Sequence, residues 1–63
     1  MDNTEKKAFR RWMYTASDRE LQQKVLALTQ IYPRLKEPDV RADCRWLKWK
    51  MVGEIDARNQ SRG

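Results

Sequence analysis

Histidine is absent from this chain, and cysteine occurs once, at Cys44. Without histidine neither a Ser-His-Asp triad nor a Cys-His pair can form. A single cysteine closes no internal disulfide, and zinc draws its ligands mainly from Cys and His. No metal and no cofactor is therefore expected. The two glycines form neither a G-x-x-x-x-G-K-[ST] nor a G-x-G-x-x-G loop for phosphate. Two glycines and two prolines are also too few for a turn-rich all-β fold. Apolar runs stay far short of the roughly 18 residues a membrane span needs. The polar start, Asp2 to Glu5, has no apolar signal-peptide region. With the lone Cys44 suited to a reducing compartment, the expectation is a soluble cytoplasmic protein that is not an enzyme and has no membrane partner.

What remains is a small chain rich in helix formers and charge. It has 63 residues and 7.6 kDa, 40% hydrophobic and 37% charged. Three Trp, two Tyr and one Phe argue against disorder. A domain of about 60 residues buries only about 60% of its unfolded surface, so its core is marginal. With no disulfide or metal to staple it, the fold must rest on good helix packing or on a second subunit.

The pattern predicts an all-α fold: a small three-helix domain over 1–63, with a short N-terminal helix and a helical hairpin whose last helix is long. The helices are expected near 4–15, 18–32 and 38–58, with a frayed tail over 59–63. Asp2 and Glu5 have the spacing of a capping box, and Thr4 competes as cap. Ala8, Phe9, Trp12, Met13 and Ala16 then share one face. Ser17 with Glu20 is a second capping box, followed by a heptad seam of Leu21, Val25, Leu28 and Tyr32. Pro33 ends that helix at Ile31 or Tyr32, and Pro38 suits the first turn of the next. The expected core is Phe9, Trp12, Leu21, Val25, Leu28, Val40, Leu47, Met51 and Ile55.

The third helix bears two apolar stripes. Val40, Cys44, Leu47, Met51 and Ile55 form one, and Cys44 is expected to be buried there as a small hydrophobe. Ala42, Trp46, Trp49 and Gly53 form the other, nearly opposite. Two stripes mean packing on two sides. The second stripe either receives the first helix or meets another molecule, and both readings stand at this level. Trp is enriched at binding hot spots, and Gly53 would admit a close backbone at a cost of about 1 kcal/mol relative to Ala. These four residues are the candidate protein interface, and a homodimer is one way to fill it.

Fourteen Lys and Arg against nine Asp and Glu give a formal charge of +5. The excess is patterned. Lys7, Arg10 and Arg11, with Tyr14, lie opposite the apolar face of the first helix. Arg41, Arg45 and Lys48 line a flank of the third, and Arg34 with Lys36 sit in the joint between the last two helices. Such stripes suit an acidic partner, either a protein surface or a phosphate backbone. The leading expectation is a small regulator that docks on a larger protein or nucleoprotein machine of a nucleic-acid-linked process, as phage- or plasmid-type inhibitors of the anti-CRISPR kind do. The alternative is a regulator that binds DNA or RNA directly through these faces, as a homodimer. From Phe9 to Ala57 the order of a short basic helix, a capped helix and a long helix resembles the Hha-type modulators of nucleoid proteins. No motif is shared, so the resemblance implies a small helical regulator and assigns no residue a role.

Overall fold

The computed structural model describes residues 2–62, and it is all-α among them. Helix α1 spans Asn3–Thr15, α2 spans Asp18–Ile31, a single 3-10 turn covers Tyr32–Arg34, and α3 spans Pro38–Arg62. The three-helix expectation holds, with both internal joints where the caps placed them.

Each helix start follows from a side chain. Asp2, rather than Thr4, caps α1: its carboxylate accepts the Glu5 N–H at 2.8 Å. Ser17 and Glu20 form the full reciprocal box at the start of α2, both bonds 3.1 Å. Only Ala16 and Ser17 separate α1 from α2, so the chain turns sharply there. At the other end of α2, Pro33 converts the chain to the 3-10 turn, and the Leu35 N–H closes it on the Tyr32 carbonyl at 3.1 Å. Pro38 occupies the first turn of α3 as its missing N–H allows.

The buried cluster is small: Met13 and Ala16 from α1 and its end, Leu21 from α2 and Met51 from α3. Leu21 and Met51 are fully enclosed. Phe9, Trp12, Val25, Leu28, Leu47 and Ile55 pack around this cluster, half-buried. Cys44 is buried as expected, its thiol directed at the Leu28 carbonyl at 3.7 Å. Helices α2 and α3 are the closely packed pair. Helix α1 reaches α3 through long side chains instead, since Phe9 packs on Trp46 with the rings tilted 56° and their centroids 5.8 Å apart.

Two expectations need correction. Val40 is 42% exposed and outside the core, because α2 has already ended where α3 begins. It borders an open hollow formed with the loop residues Arg34, Leu35, Lys36 and Glu37. The third helix, expected to end near 58, runs to Arg62, and Gly63 lies outside the described residues.

Arg58 anchors the last turns of α3. Its guanidinium donates to the Asp18 carboxylate at 2.9 Å, to Glu54 at 3.1 Å and to the Met13 carbonyl at 2.9 Å. One side chain thus ties the C-terminal part of α3 to the end of α1 and the start of α2. The hydrogen bond to Asp18 raises the Arg58 pKa above its ordinary value; partial burial opposes this and Glu54 adds to it.

The 25 residues of α3 set the long dimension of a molecule measuring 39 × 25 × 15 Å. Its radius of gyration is 12.3 Å, against about 10.6 Å for a compact chain of this length. The shape is a flat slab, two helix layers thick. A core this thin tolerates little loss. Leu21→Ala is expected to cost about 3 kcal/mol and to lower the thermal midpoint by more than about 12 °C. A melt followed by far-UV circular dichroism checks this.

Candidate functional site

The second stripe of α3 divides in two. Trp46 is half-buried and faces α1, where Phe9 and Trp12 complete a row of rings with Phe9–Trp12 centroids 5.9 Å apart. Trp49 lies one turn further along the helix and is 67% exposed. It belongs with Ala42, Arg45, Trp46, Lys48 and Val52 to an open hollow of about 600 Å³. Gly53, on the same side, is exposed, and a Cβ added there would meet nothing within 4 Å. Packing inside the monomer therefore gives no reason for a glycine.

Two lysines outside the expected set attend the indoles. Lys6 Nζ lies 5.1 Å from the Trp46 ring centre. Lys50 Nζ lies 5.8 Å from Trp46 and 4.9 Å from Trp49. At those distances a cation is attracted by the face of the ring. Lys50 stands four residues before Glu54, a spacing that suits an ion pair, but Glu54 pairs with Arg58. The signal that could have found this contact is the adjacency of Lys50 to Trp49 and its i+4 spacing from Trp46.

The basic residues do not merge into one surface. Lys7, Arg10, Arg11 and Tyr14 are all exposed, and Tyr14 is 67% so. Their positions at i, i+3, i+4 and i+7 hold them on the face of α1 opposite Phe9, which turns toward α3. Among the described residues none of these three cations makes an ion pair. On α3, Arg41 stacks over the Tyr32 ring at 4.8 Å from its centre. Arg45 and Lys48 form the ridge between the tryptophan hollow and a second one, of about 390 Å³, lined also by Thr29, Tyr32, Pro33 and Cys44.

The structure thus gathers Ala42, Arg45, Trp46, Lys48 and Trp49 and leaves Arg41 at the Tyr32 end. The α1 group stays on a separate face. No group of three or more His, Cys, Asp or Glu side chains able to hold a metal occurs among the described residues. No helix among them is long and apolar enough to cross a membrane. No protein-family model, curated protein or solved structure matches the chain.

The two tryptophans should respond differently to truncation. Trp46→Ala removes the ring that packs on Phe9 and is expected to cost about 2 kcal/mol. Trp49→Ala touches a mainly solvated ring and should change monomer stability by less than about 0.5 kcal/mol. Urea unfolding at high dilution measures both, and equal losses would contradict the division of the stripe.

Proposed function

We propose that this chain is a small, non-catalytic regulatory protein that docks on an acidic surface of a larger protein machine of a nucleic-acid-linked process. In kind it is a phage- or plasmid-type inhibitor of the anti-CRISPR sort, acting in the cytoplasm. The observation that carries the reading is the outward face of α1. There Lys7, Arg10 and Arg11 stand exposed around Tyr14, and no acidic side chain interrupts them between Asn3 and Thr15 on that face.

The extent of this patch favours a protein over a nucleic acid. Lys7 to Arg11 is one helical turn, about 6 Å along the axis. That matches a local acidic cluster. A phosphate backbone is usually followed by a longer basic track, and here the α1 and α3 cations occupy different faces. Several of the remaining cations, Lys6, Arg41 and Lys50, lie over aromatic rings of the chain itself. Tyr14 adds a rigid ring with a polar tip, a residue type favoured where partners meet.

Direct nucleic-acid binding is the second reading, favoured by the exposure of Tyr14 among three cations, an arrangement that can stack on an unpaired base. The two readings differ in salt response. Three phosphate contacts on duplex DNA would give a slope of log K against log[salt] of about −2.7. The expected result is no complex with a short generic duplex at physiological salt. An affinity capture should retain a protein partner that Arg10→Glu/Arg11→Glu loses by at least about tenfold. A tight duplex complex with that slope, abolished by the same double reversal, would make nucleic acid the partner.

A further inference from the structure

The side of α3 turned away from α1 and α2 is ordered as a seam. Ala42, Arg45, Trp49, Val52, Asp56 and Asn59 follow at steps of three, four, three, four and three, and all six are exposed. That is the spacing of a helix face meant for another helix. Its centre is apolar, with Trp49 67% and Val52 40% exposed. One position to each side carries a charge, positive at Arg45 and negative at Asp56.

The area left open is also of the right size. The chain exposes 5091 Å². A compact monomer of this mass exposes about 4,300 Å², so the excess is about 800 Å². A standard protein interface takes about 800 Å² from each partner. The flat slab therefore leaves uncovered about as much surface as one side of a stable interface needs.

Symmetry then selects the occupant and its direction. If two copies meet in parallel, Arg45 faces Arg45 and Asp56 faces Asp56. If they meet antiparallel, the seam reads the same from both ends with the charges complementary. Arg45 falls opposite Asp56, Trp49 opposite Val52, and Ala42 opposite Asn59. We propose that two copies of this chain pair antiparallel along α3 about a two-fold axis, with two Arg45–Asp56 ion pairs flanking two Trp49–Val52 contacts. Gly53 acquires a purpose in this arrangement. It lies beside Val52, and the missing Cβ opens the helix backbone to the indole of Trp49 from the second copy. The basic faces of α1 lie outside the seam, so the pair displays two of them.

Sedimentation equilibrium at physiological ionic strength tests the proposal, with far-UV circular dichroism as the control for folding. The wild type should sediment at twice 7.6 kDa. Trp49→Ala should be monomeric with its helix content intact, since that ring is mainly solvated in the single chain. Gly53→Ala should weaken association while helix content holds or rises. Arg45→Glu and Asp56→Arg should each weaken the dimer by at least about tenfold, and the two together should restore it. A wild type that stays monomeric into the hundreds of micromolar overturns the proposal. So does a dimer that survives Trp49→Ala, or a charge exchange that fails to rescue association. Because Arg10 and Arg11 lie outside the seam, these outcomes are read separately from the docking of α1 on its partner.

Discussion

The buried cluster of Met13, Ala16, Leu21 and Met51 is the interaction on which the molecule depends. It is where all three helices meet, and it encloses the two side chains that solvent does not reach at all. Everything else is arranged around that point. The chain turns sharply at the Ala16–Ser17 joint, and Arg58 bridges that joint from α3. An apolar cluster and a charged clasp thus act on one short stretch of chain, from Met13 to Leu21.

So small a centre has consequences for the surface. Sixty-three residues build two layers of helix and no more, and the longest helix extends past what the other two can cover. Large aromatic side chains partly compensate. Phe9, Trp12 and Trp46 fill the distance between α1 and α3 that the backbones do not close. Lysines laid across Trp46 and Trp49 shield the indoles without burying them. Surface left over by this economy is what the chain has to offer other molecules: a basic face on α1 and an apolar seam on α3, pointing in different directions.

Local rules were strong where a side chain acts on its own backbone. Ser17 and Glu20 marked the start of α2, Pro33 its end and Pro38 the start of α3, each by hydrogen bonding or ring geometry within a few residues. Helical spacing likewise marked Leu21, Cys44 and Met51 as inward. Of the candidate site, spacing placed Ala42, Trp46 and Trp49 on one stripe and set Arg45 and Lys48 with Arg41 on a flank; that these two sets line one hollow, without Arg41, came from the tertiary structure. Spacing misled at Val40, because periodicity identifies a face but not whether a neighbouring helix reaches that far. It also missed Lys50, which lies over Trp46 and Trp49 while Glu54 pairs with Arg58.

The sequence by itself determined that the chain is three helices, where they begin, and which face of each is apolar, because these depend on contacts within about one turn. Only the tertiary structure decided which of the two tryptophans belongs to the fold and which to the surface. Trp46 and Trp49 are alike in type and stripe, and their fates differ because α1 crosses α3 at one and not at the other. The anchoring of α3 was decided in the same way. Arg58 holds the end of α3 to Asp18 and to the Met13 carbonyl across 40 and 45 residues of chain, a distance no local pattern records.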